Sequence, residues 1–140
     1  MKDVSIIIPA YNEEQTIGQV IDVIHNSNVN CEIIVVNNCC TDNTSEIAES
    51  KGAKVVYCPN KGKGYAMEEG LKTANNEIVV FLDADIADYH TNLIHLLVDP
   101  IIERNVDFVK STFERTKRRI SYRNCYKTIT KNFISRIISI

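Results

Sequence analysis

Ile78-Val79-Val80-Phe81-Leu82-Asp83-Ala84-Asp85 decides the fold: five apolar residues without a break, then two carboxylates two residues apart. Unbroken, β-branched apolarity over so short a run marks a strand covered on both faces, as in a parallel sheet. Val4-Ser5-Ile6-Ile7-Ile8 and Glu32-Ile33-Ile34-Val35-Val36 read the same way. Lys54-Val55-Val56-Tyr57 is a shorter version, and Val106-Asp107-Phe108-Val109 a fifth. Helical spacing fills the intervals: Ile17, Val20, Ile21 and Ile24; Thr44 to Ser50; Tyr65, Met67, Leu71 and Ala74; Leu93, Leu96, Leu97 and Ile101. Asn12 and Gln15 have the spacing of a capping box for the first helix, and Asp42 or Asn43 suits the cap of the second. The order β-α-β-α-β-α-β-α-β predicts an α/β domain with an open, mostly parallel, doubly wound sheet and helices on both faces.

Composition agrees with one folded domain. The chain has 140 residues, 44% hydrophobic and 24% charged, with net charge −2, which is too apolar and too weakly charged for disorder. That near-neutral total is unevenly spread. Residues 110–140 carry nine Lys or Arg against Glu114 alone, a net +8, which leaves seven bases and seventeen acids on residues 1–109. From Ile120 onward Ile129, Phe133, Ile134, Ile137 and Ile138 recur at helical intervals. A C-terminal amphipathic helix is therefore expected, so that 1–110 form the main domain and 111–140 a basic extension. Such a stripe is expected to dock on its own domain or on a second copy of the chain, a homo-oligomer; peripheral contact with an anionic membrane is the less favoured alternative. Five cysteines without a Cys-x-x-Cys pair, and no signal peptide, place the expectation at reduced thiols in the cytoplasm. No nucleic-acid partner is expected.

In an open parallel sheet, ligands bind where the strands' carboxyl ends meet the loops and helix N-termini. Here those segments are Pro9-Ala10-Tyr11-Asn12-Glu13, Asn37-Asn38-Cys39-Cys40-Thr41-Asp42, Cys58-Pro59-Asn60-Lys61-Gly62-Lys63-Gly64 and Asp83-Ala84-Asp85. All are polar or glycine-containing, and all fall on one rim. Two close carboxylates need a counter-ion, and a hard cation, Mg²⁺ or Mn²⁺, supplies it while leaving positions for phosphate oxygens. Lys61 and Lys63 with two glycines ahead of a helix suit a diphosphate. The segment is not a P-loop, and no Gly-x-Gly-x-x-Gly follows the first strand, which argues against a dinucleotide site. His25, His90 and His95 make no cluster. Cys39 and Cys40 read as loop filler rather than as thiol chemistry.

Together, Ser5 to Glu14, Thr41-Asp42-Asn43-Thr44, Asn60 to Gly64 and Phe81 to Asp85 resemble the nucleotide-sugar half of the family 2 glycosyltransferases, whose sheet is the Rossmann-like GT-A fold. The likeness covers about residues 3–110. Val106 to Ser111 with Glu114-Arg115 further resembles the glucosyl-3-phosphoglycerate synthase branch, and the stretch around Lys61–Gly70 is similar to polyprenyl-phosphate sugar transferases.

This resemblance implies a nucleoside-diphosphate sugar, UDP- or GDP-linked, as donor. It implies that Pro9, Ala10, Tyr11 and Glu13 contact the nucleoside and that Lys63 approaches the diphosphate or acceptor. Asp83-Ala84-Asp85 would hold ribose and metal, with Asp85 the main metal ligand and Asp83 facing ribose or metal. Where the family has an acid that accepts a hydrogen bond from the base, this chain has Asn37-Asn38, whose carbonyls accept without charge. The acceptor-binding half is expected to lie outside these 140 residues. The rival readings are a non-catalytic nucleotide-sugar-binding or interaction module, and a nucleotidyltransferase, whose glycine- and arginine-rich opening loop is missing.

Overall fold

The computed structural model describes residues 3–85, 90, 92–104, 106–110 and 127–130. β1 (Val4–Ala10), β2 (Cys31–Asn37), β3 (Lys54–Tyr57) and β4 (Ile78–Phe81) are all parallel, and they alternate with α1 (Ile17–Asn26), α2 (Thr44–Ser50) and α3 (Lys63–Thr73). α4 (Leu93–Arg104) and β5 (Phe108–Lys110) follow, and β6 (Lys127–Thr130) completes a six-stranded sheet in the order β3-β2-β1-β4-β6-β5.

Alternate residues of each central strand enter different cores, which is why the runs are apolar apart from Ser5 near the start of β1. Val4, Ile6 and Ile8 of β1, Ile33 and Val35 of β2, and Ile78 and Val80 of β4 pack with α1 and α4 and with Ala48 of α2. Ile7, Ile34, Val36, Val79 and Phe81 face the opposite way, onto Ala66, Met67 and Leu71 of α3. The expected stripe of α1 is buried as read. Of the other stripes, Tyr65 is 55% and Leu96 66% exposed, and Met67 and Leu71 are half-buried. Each helix makes its contact through neighbouring small or branched residues instead, Ala66 and Gly70 on α3 and Leu93, Ile94 and Leu97 on α4.

Two readings need correction. Helix α1 starts at Ile17 with Thr16 at its N-cap, and Asn12 does not cap it. Asn12 sits at φ 51° and gives its carbonyl oxygen to the Thr41 N–H, 2.7 Å away. The helical reading of the tail fails for Lys127–Thr130, which is strand, antiparallel to both β4 and β5. Lys127-Thr128-Ile129-Thr130 is rich in β-branched residues, and its place between two strands supplies ladder hydrogen bonds on both sides. The rest of the expected tail helix lies outside the described residues.

Helix α3 lies unusually close to the sheet at Gly70. A Cβ there would come 2.3 Å from Cγ2 of Ile7 and 3.2 Å from Cγ2 of Val36, both deep in the core. At the amino ends of the strands, Ser5 and Glu32 are anchored together. The Ser5 hydroxyl donates to the Glu32 carboxylate at 2.5 Å, and the Asn75 N–H and amide donate to it at 2.7 and 2.9 Å. Burial pushes the Glu32 pKa up, but these hydrogen bonds outweigh burial and hold it below the ordinary 4.5.

Two stability predictions follow from these contacts. Gly70→Ala gains helix propensity but must displace Ile7, so it lowers stability by about 1–3 kcal/mol, read as a lower midpoint in thermal or urea unfolding. The Glu32 carboxylate is more acidic folded than unfolded, so its contribution is present above pH 4.5 and is lost as pH falls through the depressed folded value. Glu32→Gln therefore flattens the acid limb of a stability-against-pH curve.

Candidate functional site

In-register pairing sets the strand ends side by side. Ala10 is level with Asn37, and Asn37 with Tyr57. The Leu82 N–H donates to the Ile7 oxygen at 3.0 Å, so the turn after β4 runs out beside Pro9 and Ala10. The four loops then fasten to one another. The loop after β1 is pinned to the start of α2: the Glu13 N–H donates to the Thr44 hydroxyl at 2.9 Å, and the Glu14 N–H to the Asp42 carboxylate at 3.1 Å. Asp42 also accepts the Thr44 N–H at 3.1 Å and so caps α2 with its side chain, although Asn43 holds the N-cap position. The Thr16 hydroxyl donates to the Ala84 carbonyl at 2.6 Å and ties the start of α1 to the acidic turn.

The loop before α3 is held from β2. Asn38, only 6% exposed, donates its amide N–H to the Asn60 oxygen at 2.7 Å and accepts the Gly62 N–H at 2.8 Å. Gly62 has φ 143°, a conformation open to glycine and strained for other residues, and it leads into Lys63, the first residue of α3. The Lys63 ammonium pairs with the Asp83 carboxylate, and that carboxylate is largely buried. From the same loop, Lys61 Nζ donates to the Tyr11 hydroxyl at 3.1 Å and lies 4.4 Å from the ring centroid. Both contacts are exposed. The hydrogen bond to Tyr11 raises the Lys61 pKa.

A cavity of about 230 Å³ opens between these loops, lined by Pro9, Ala10, Tyr11, Glu13, Asn38, Lys63, Asp83, Ala84 and Asp85. The structure therefore brings together nine of the ten expected site residues. Asn37 is the exception. Its amide donates to the Ser45 hydroxyl at 2.7 Å and its carbonyl accepts the Cys40 N–H at 2.8 Å, so it builds the loop behind the cavity wall. Sequence reasoning overlooked Thr16, Asn12 and the Asp42–Thr44 pair as fasteners of this rim. Their partners are 28 to 68 residues away, and nothing local announces them.

Charge in the cleft is unbalanced: Glu13, Asp83 and Asp85 face the Lys63 ammonium. Burial, and then repulsion from Asp85, pushes the Glu13 pKa above 4.5. Among the described residues no group of three His, Cys, Asp or Glu side chains is arranged to enclose a metal by itself. Asp83 and Asp85 are the residues able to hold one, and that is the donor set of an Mg²⁺ or Mn²⁺ completed by ligand oxygens. Among the described residues no helix is long and apolar enough to cross a membrane, and Cys31, Cys39, Cys40 and Cys58 are free.

In an open α/β sheet, ligands bind where the loops leave the carboxyl ends of the strands, and here that rim carries the acid pair, the lysine and the glycine-bearing loops. Comparison with known proteins gives the family. The family model described as glycosyl transferase family 2 matches residues 5–136, and the chain belongs to this family. Among curated relatives, a glucosyl-3-phosphoglycerate synthase from Mycolicibacterium paratuberculosis is 34% identical over 125 residues, covering 81% of this chain and 38% of that protein. The chain thus spans about four-tenths of the length of that relative.

Among solved structures, the glucosyl-3-phosphoglycerate synthase of Mycobacterium tuberculosis in complex with UDP superposes with a TM-score of 0.82 at 26% identity, covering 96% of this chain and 58% of that one. The same enzyme with Mn²⁺, UDP and glucosyl-3-phosphoglycerate gives a TM-score of 0.75 at 33% identity, covering 81% and 44%. The GT-A fold and the likeness to this branch are therefore both shown.

Carboxyl titration followed by NMR tests the electrostatics of the cleft. Glu13 titrates above 4.5 in the wild-type chain, and Asp85→Asn moves it back toward that value without removing the larger effect of burial. Because the folded pKa is the higher one, this group's ionisation lowers stability as pH rises from 4.5 through the folded value.

Proposed function

We propose that this chain binds a nucleoside-diphosphate sugar together with a divalent cation and forms the donor side of a glycosyltransferase. The observation that carries this reading is the convergence of Asp83, Asp85 and Lys63 on one cavity that Pro9–Tyr11 and Glu13 also line. Acidic and cationic groups placed within one small cleft suit a ligand that is itself anionic and brings a cation with it. A ligand with neither would leave the carboxylates repelling each other.

In this reading the β1 loop receives the nucleoside, and Tyr11 offers it a half-exposed ring. Asp83 and Asp85 hold the cation, Mg²⁺ or Mn²⁺, which as a Lewis acid offsets the charge that grows on the departing diphosphate. Lys63, at the amino end of α3, presents its ammonium and the first N–H groups of the helix to the same phosphate oxygens. The sugar C1–O bond to the diphosphate breaks with its electron pair left on the diphosphate, and the acceptor hydroxyl oxygen forms the new C1–O bond while its proton is released to solvent. Fixed donors aimed at the leaving group favour the transition state over the bound substrate, because its charge is larger there. Similarity to the Mycobacterium tuberculosis enzyme, solved with UDP, favours a UDP-sugar over a GDP-sugar and makes phosphoglycerate the first acceptor to assay.

Calorimetric titration of UDP and GDP, with Mn²⁺ and with chelator, tests the reading. UDP binding depends on the cation, and Asp85→Ala weakens it by about tenfold or more, the loss expected when one of two protein carboxylates leaves a cation site. UDP binding that is indifferent to both chelator and Asp85→Ala sinks the proposal. Release of UDP from UDP-glucose on adding phosphoglycerate would extend it from binding to transfer.

A further inference from the structure

We propose that Asn38 is a positioning residue for the diphosphate end of the site, acting through the loop that delivers Lys63. The assignment of Lys63 to the diphosphate rests on the reading above; the clamp itself rests on geometry. Asn38 follows β2 directly, and its backbone N–H extends the ladder to the Ala10 oxygen at 2.9 Å, so its Cα is fixed by the sheet. The side chain is buried, and both of its polar ends meet backbone: the amide donates to the Asn60 oxygen, and the carbonyl accepts the Gly62 N–H. A backbone carbonyl accepts only and a backbone N–H donates only, so this pair of partners demands one donor and one acceptor from one short side chain.

Asparagine meets that demand. Aspartate, of the same shape, keeps the bond from Gly62 but sets a carboxylate oxygen against the Asn60 oxygen, where the donor now sits at 2.7 Å. Serine and alanine lack the reach or the groups. The clamped residues are the last before α3. Gly62 is its N-cap and has no capping side chain of its own, and Lys63 is its first residue, already paired with Asp83. Asn38 thereby transmits the position of β2 to the ammonium that faces Asp83. Its neighbour Asn37 does not share this role, because its amide is spent on Ser45 and Cys40.

Calorimetry of the full chain with UDP and with uridine, both in Mg²⁺, tests this for the wild type, Asn38→Asp, Asn38→Ala, Lys63→Ala and the double variant Asn38→Asp/Lys63→Ala. Thermal melts and amide hydrogen exchange accompany the titrations. Asn38→Asp weakens UDP about tenfold more than it weakens uridine, since the broken clamp displaces the phosphate side. In the Lys63→Ala background the same substitution costs little more, because the group it positions is gone. Exchange at the Gly62 amide speeds up in both Asn38 variants, while the β2 amides keep their protection; Asn38→Ala gives this readout without added charge should Asn38→Asp fold poorly. Equal weakening of uridine and UDP overturns the proposal, and so does a full extra loss in the Lys63→Ala background. Unchanged Gly62 exchange overturns it as well. If the wild-type chain binds neither ligand, the donor-binding function fails, and Gly62 exchange alone then decides the clamp.

Discussion

β1, β2 and β4 are walled by helices on both faces, and this double burial governs where everything else in the molecule can stand. A charge placed mid-strand would have no water and no partner, so polar groups are driven to the strand ends. At the amino rim, Ser5 is fully buried yet hydrogen-bonded to Glu32, which also takes the Asn75 amide groups. At the carboxyl rim the carboxylates of residues 83 and 85 and the ammonium of Lys63 gather where the loops leave the sheet. One rim thus closes on itself through internal hydrogen bonds, while the other is left with negative charge in excess.

The carboxyl rim is built from loops that hold each other rather than from loops that are rigid by themselves. Thr16 holds the acidic turn, Thr44 and Asp42 hold the β1 loop, and Asn38 holds the lysine loop. Each bond joins segments distant in sequence, so the cavity forms only when the sheet has brought the strands into register. Close packing makes that register stiff. With Gly70 pressed on Ile7 and Val36, α3 has little freedom to slide, and Lys63 at its start inherits that rigidity.

What was legible before any coordinates is explained by the same double burial. Four parallel strands and the stripe of α1 could be read because apolar residues on both faces leave a continuous signal. The acid pair and the lysine loop could be read because polar residues end such runs abruptly. The capping box at Asn12 was misread because its side chain had a better partner in Thr41, which local spacing does not reveal. Leu96 was misread because a helix repeating every 3.6 residues offers several plausible stripes, and only the position of the sheet chooses one. Lys127–Thr130 reads as helix from a stripe that runs from Ile129 to Ile138, whereas the pairing partners of this strand are in β4 and β5.

By itself the sequence determined the α/β class, the parallel direction of the first four strands and the rim on which Pro9–Glu13, Lys63 and Asp83–Asp85 would collect. These follow from local patterns, because a strand buried on both faces must be apolar along its middle and must shed its polar residues toward its ends. Only the tertiary structure decided that β6 enters the sheet between β4 and β5, that Asn37 turns away from the cavity, and that Asn38 spends its amide on the lysine loop. Those outcomes depend on which distant backbone groups come within about 3 Å of each other, a hydrogen-bonding distance that no spacing along the chain encodes.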